Sequence, residues 1–170
     1  MGAALYSTIW IALLLFVAAE AGRRRGFSRD SPPAWAWPAF VAGAVLATIH
    51  VLLAMSIAHG WSHNSAVAAT AAQTKTVYGL DWGGGVFANY AFVAVWAFDA
   101  WRWRARVARL SAGPDWLTWT IRVFFFVMML NGAVIFVAGP RGILGAGMVA
   151  ALVWIWRPLR RNGSISAAPG

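Results

Sequence analysis

The chain reads as an all-α integral membrane protein: a helical bundle of five transmembrane helices, N-terminus outside and C-terminus cytoplasmic. Three observations predict this. Of 170 residues, 61% are hydrophobic and only 11% charged, where a soluble domain carries roughly 25% charged residues. Several apolar runs approach or exceed the ~18 residues needed to cross a bilayer as a helix, and they are too continuous for barrel strands. The basic residues also alternate along the chain. All but Lys75 and Arg141 fall in three clusters: Arg23, Arg24, Arg25 and Arg29; Arg102, Arg104, Arg106, Arg109 and Arg122; Arg157, Arg160 and Arg161. That alternation is the positive-inside pattern. It accounts for the net charge of +9 without nucleic acid, and leaves anionic lipid headgroups as the partner of the basic ends.

The first run, about residues 3–21, has arginines after its apolar core and no basic side chain before it. A signal peptide has the opposite arrangement, so a retained helix is expected. Glu20 lies four residues before Arg24, and an i,i+4 pair is its simplest role. Ser31-Pro32-Pro33 breaks the chain before Trp35 and Trp37 mark the interface.

The second run, 39–58, places Gly43, Ala47, His50 and Ala54 on one stripe at 100° per residue. Small residues let a neighbouring helix approach closely, so His50 is expected to point into the bundle near the bilayer midplane. The outer connector, 59–85, is long for so small a chain, and such connections carry structure or function. Ser62 suits the start of a helix reaching about Tyr78, and Gly79 suits its end. Asp81-Trp82 with Gly83, Gly84 and Gly85 then forms a tight return to the membrane.

The third run is 86–103, the fourth 116–138 and the fifth 143–156. Residues 162–170 form a small, polar, flexible cytoplasmic tail. Eight of the twelve tryptophans fall at expected cytoplasmic boundaries: Trp35, Trp37, Trp101, Trp103, Trp116, Trp119, Trp154 and Trp156. Residues 1–161 make one transmembrane domain with no internal repeat. An odd number of spans argues against a two-fold inverted-repeat transporter.

Ionisable groups inside a membrane are functional candidates by default. Asp99 and Arg122 sit near the cytoplasmic ends of antiparallel neighbours, so an interhelical ion pair is expected, with Asp99–Arg102 at i,i+3 as the alternative. His50, Asn89, Tyr90 and Asn131 converge on a polar pocket in the outer half if helices two, three and four pack together. His50 is then either a neutral imidazole bonded to Asn131 or to a carbonyl, or a metal or haem ligand, a hydrogen-bond partner of a quinone, or a proton carrier. His59 and His63, at i,i+4, offer half a copper or zinc site, which Asp81 or His50 would complete. There is no cysteine, which excludes thiolate sites and disulfides. No nucleophile elbow, phosphate loop or carboxylate pair is present, so no catalytic residue is assigned.

Trp61-Ser62-His63, Thr70 to Thr76, Trp82-Gly83-Gly84-Gly85 and Asn89-Tyr90 resemble the pattern of a group of small bacterial multi-pass membrane proteins with no assigned activity. The resemblance covers about a third of the chain and implies little beyond the fold; a bacterial inner-membrane location is expected. The preference for arginine over lysine fits a GC-rich genome. The first expectation is a non-catalytic accessory or scaffold subunit of an inner-membrane assembly, partnered by other subunits or by itself. The second is a protein handling redox centres or metals through His50, His59 and His63. A small-solute permease is the third.

Overall fold

A computed structural model describes residues 2–28, 31–106, 114–137 and 139–157. Among them are six helices and no strand. They are α1 (Gly2–Ser28), α2 (Ala36–Leu53), α3 (His63–Tyr78), α4 (Gly85–Ala105), α5 (Trp116–Met129) and α6 (Pro140–Ile155). Two wider π-helical turns, Ala54–Ala58 and Leu130–Ile135, prolong α2 and α5. Arg29, Arg109, Arg160, Arg161 and the expected tail 162–170 lie outside the described residues.

Three helices are long and apolar enough to cross a membrane: Ala4–Gly26, Ala36–Ala58 and Trp116–Ile135. The apolar segment Pro140–Ile155 is shorter. With 21 residues, α4 is about 31 Å long at 1.5 Å per residue. Its second half carries Asp99, Arg102 and Arg104, which lowers its apolar character.

The helix ends correct the expected boundaries. α1 does not stop at Ala21. Nothing breaks it before the Ser31-Pro32-Pro33 segment, and arginine is a good helix former, so the arginines continue it to Ser28. α6 starts three residues early because Pro140 takes the first helical position, where its missing N–H costs no bond. The connector holds α3 as expected. The Ser62 hydroxyl accepts from the Ser65 N–H at 3.2 Å, and Gly79 ends the helix at φ 73°, a left-handed backbone that suits glycine.

Apolar helices in a membrane gain no hydrophobic drive from touching one another. Close packing and polar bonds hold them instead. α1 and α2 form the most extensive helix pair, along a seam of buried small residues that includes Ala12, Ala19, Ala36 and Ala47. A Cβ at Gly43 would stand 2.7 Å from the Trp96 ring and 3.1 Å from the Ala12 carbonyl oxygen, so only glycine lets α1, α2 and α4 meet there. Around that point Phe16, Phe40, Trp96 and Phe125 pack with ring centroids 4.6–5.8 Å apart, in tilted and edge-to-face arrangements that favour aromatic pairs. The buried Trp96 indole donates to the Phe40 carbonyl at 3.1 Å. The bundle therefore has an arginine-rich end, where α1 and α4 finish and α5 begins. At the opposite end α3 rests on α4.

Candidate functional site

The arginine-rich end holds a buried polar network built by α1, α4, α5 and the end of α6. Residues 12, 16, 19, 20 and 23 of α1 share one buried face, because they repeat at helical spacing. That face carries Glu20, 1% exposed, and Arg23, 3% exposed, into the bundle. Glu20 accepts from the Arg23 Nη1 at 3.1 Å, from the Arg122 Nη2 at 3.0 Å and Nε at 3.2 Å, and from the Trp156 indole at 2.6 Å. Asp99 accepts from Arg23 at 2.7 and 3.4 Å and from the Arg102 Nε at 3.3 Å. Arg102 donates on to Asp115 at 3.3 Å and to the Thr118 hydroxyl at 2.6 Å. Arg106 also bonds Asp115.

Asp115 caps α5, accepting the Thr118 N–H at 2.9 Å and the Thr118 hydroxyl at 2.6 Å. Burial pushes its carboxyl up. The Thr118 bonds, the Arg106 bond and the Arg102 charge outweigh that and hold it below the ordinary carboxylate range. Aromatic faces carry the cations: Arg23 lies 4.8 Å from the Trp103 ring centroid, and Arg122 lies 5.3 and 5.4 Å from Trp119 and Trp156. Cation–π attraction is strongest where both groups are desolvated.

This redistributes the expected pairing. Arg122 finds its carboxylate on Glu20, and Asp99 is held by Arg23 together with the i,i+3 partner Arg102. Ending α1 at Ala21 hid the reason, because it placed Glu20 and Arg23 at a solvated helix end. Their register with Ala12, Phe16 and Ala19 was the signal that finds them. The expected Glu20–Arg24 pair is corrected as well. Arg24 donates to the Trp154 carbonyl at 2.6 Å and to that of Ile155. It thereby satisfies orphan carbonyls at the C-terminus of α6, where a cation also suits the helix dipole.

Chemically the network is a clamp. Its carboxylates are bracketed by guanidinium groups, and arginine does not give up its proton in proteins.

The residues expected to share a pocket at the other end bond different partners. His50 turns to α1, its Nδ1 2.8 Å from the Leu5 carbonyl oxygen and 3.4 Å from the Thr8 hydroxyl. It is level with the first turns of α1. A carbonyl only accepts, so Nδ1 carries a proton, and in the neutral form of the ring the lone pair lies on Nε2. Asn131 accepts from the Tyr78 hydroxyl and donates to the Val127 carbonyl at 2.8 Å. Tyr90 donates to the Met55 sulfur at 3.6 Å, and its oxygen lies 3.3 Å from the His63 Nδ1. Asn89 is exposed on α4.

The connector residues expected to complete a metal site also find other partners. Asp81 pairs with Lys75 at 3.4 Å. Among the described residues, no group of three or more His, Asp or Glu is placed to hold a metal ion, so His59 and His63 remain without the third ligand expected from Asp81 or His50. Helical angle predicts which face a side chain occupies, but not which neighbour lies there. The α1–α2 pairing took His50, and α3 took Tyr90 and Asn131.

No family model matches the chain, and no curated protein or solved structure matches it.

Proposed function

We propose that the chain crosses the bacterial inner membrane five times, through α1, α2, α4, α5 and α6, with the arginine-rich end cytoplasmic. We further propose that it acts as a non-catalytic accessory or scaffold subunit of a larger assembly or homo-oligomer. The observation that carries this reading is the buried network. The interior carboxylates and arginines of α1, α4 and α5 are bound to one another, and Trp156 joins the end of α6 to them. Such pairing fixes helix positions and engages Glu20, Arg23, Asp99, Arg102 and Arg122 with one another. Asp99 and Arg122, the inner waypoints a permease would use, are both engaged.

Native mass spectrometry from mild detergent tests the reading. A defined oligomer or stoichiometric companion subunits are expected. A well-behaved lone monomer at every detergent concentration overturns it.

One observation favours a second reading, in which the chain handles a redox cofactor. With Nδ1–H fixed by a backbone carbonyl, His50 is oriented as ligating imidazoles are, with the other nitrogen left as acceptor. A single imidazole suffices for five-coordinate haem or for a hydrogen bond from a quinol. A visible spectrum and quinone extraction on gently purified protein, beside His50→Ala, decide it. A Soret band or bound quinone that disappears in the variant supports this reading. A colourless, quinone-free wild type removes it and leaves His50 as a tie between α1 and α2.

A further inference from the structure

Trp61 has a backbone φ of 62°, and no other non-glycine residue among those described has a positive φ. For a bulky L-residue this conformation is strained. Its N–H donates to the Met55 carbonyl at 2.8 Å, which with Gly60 at φ 53° closes the end of the π-helical turn. Glycine at position 61 would make the same bond without strain. Trp61 is 63% exposed, so a strained backbone here displays a largely exposed indole, the kind of outlier that marks a functional position.

The surroundings indicate what lies there. Trp61 follows the apolar span that ends at Ala58 by three residues. Across the connector, Trp82, 58% exposed, precedes the start of α4 at Gly85 by three, beside Leu80 at 63% exposed. The Trp82 ring is held against Gly84, where a Cβ would fall 2.7 Å from its Nε1. Trp61 thus stands where the apolar span of α2 ends, and Trp82 stands where α4 begins. Between them, α3 turns Ala66 and Thr74 inward and seats on the glycine turn, where Cβ atoms at Gly83 and Gly85 would meet Val67 and Thr70. Its outward face carries the uncharged Asn64, Ser65, Gln73 and Thr76, and its one cation, Lys75, is paired with Asp81. Indoles with one apolar face and one N–H donor settle at headgroup depth.

We infer that Trp61, Leu80 and Trp82 seat the α3 end of the bundle in the headgroup layer of the bilayer, and that a lipid surface is their partner. This rests on the reading that α2 and α4 span the membrane. Because the chain has no native cysteine, single nitroxide labels report the depth of each position in phosphatidylcholine–phosphatidylglycerol vesicles. Labels at Trp61→Cys, Leu80→Cys and Trp82→Cys are expected at headgroup depth, more accessible to oxygen and less to a water-soluble nickel chelate than Gln73→Cys on the outer face of α3. Leu52→Cys, exposed within α2, is the control and is expected in the hydrocarbon. If Leu52→Cys is open to nickel, the spanning reading itself fails. If Leu52→Cys is in lipid while the three labels are as wet as Gln73→Cys, the seating alone is overturned. Shielding in native membranes but not in vesicles assigns the patch to a protein and also overturns it. Trp61→Gly, which relieves the strain, is expected to fold at least as well as wild type while wild-type fluorescence quenched by shallow brominated lipids falls in the variant; unchanged quenching counts against the inference.

Discussion

Glu20→Ala is expected to cost about 3–5 kcal/mol of bundle stability, the range found when one member of a buried ion pair is removed. The carboxylate takes bonds from Arg23, Arg122 and Trp156. Its loss takes that carboxylate from Arg122 in a site only 4% exposed, and weakening the compensation of a buried charge is expensive. Arg23 retains Asp99, so the damage centres on Arg122 and the junction of α1, α5 and α6. Thermal or SDS-titrated unfolding in mild detergent measures it. The double variant Glu20→Leu with Arg122→Met is expected to recover much of the loss, because exchanging a whole buried pair for apolar groups of similar size is often close to neutral. A single variant within about 1 kcal/mol of wild type, in the range of an exposed pair, would show that the network does not hold the helices.

Gly145→Ala is expected to destabilise by about 2–3 kcal/mol, in the upper part of the range for overpacking. A Cβ on Gly145 would lie 2.6 Å from the Ala133 carbonyl carbon and closer still to its oxygen. Ala133 sits in the π-helical turn Leu130–Ile135, so the obstacle is backbone and cannot rotate away as a side chain would. Separation of α5 from α6 is the only relief, and it gives up the packing of Met148, Val149 and Leu152. Gly147→Ala, two residues on in the same helix, is the matched control. A Cβ there meets nothing within 4 Å, so the change is expected to be neutral or to stabilise by up to about 1 kcal/mol through helix propensity. Equal effects of the two substitutions would refute the account. The pair separates a glycine required by close packing from one that is not, which unfolding of the two variants under one condition reads directly.

The two predictions mark where local reasoning stopped. Ser62, Gly79 and the helix between them were legible, because a hydroxyl that caps an N–H and a glycine that tolerates positive φ act within a few residues of themselves. The stripe through Gly43 and Ala47 was legible as a close-packing face for the same reason. His50 was legible as a polar group needing a partner, and the backbone-carbonyl alternative is the one realised. Its partner on α1 was not legible, and neither were the partners of Tyr90 and Asn131, because α3 covers the end of the bundle and takes those two side chains. Glu20 and Arg23 were within reach of helical periodicity, but they depended on whether α1 runs past its arginines. The i,i+4 spacing of Gly147 and Ala151 points to Gly147 as a close-packing glycine, whereas it is Gly145 that meets the neighbouring backbone.

Composition and charge alternation by themselves determined that the chain is all-helical, carries apolar helices suited to a membrane, and gathers its cations toward particular ends. Hydrophobicity and charge act residue by residue, so their sum survives without coordinates. Only the tertiary structure decided which carboxylate meets which arginine, where His50 turns, and which glycine is indispensable. Those outcomes depend on the rotation and separation of helices distant in sequence, which a one-dimensional pattern confines to a face but never to a partner.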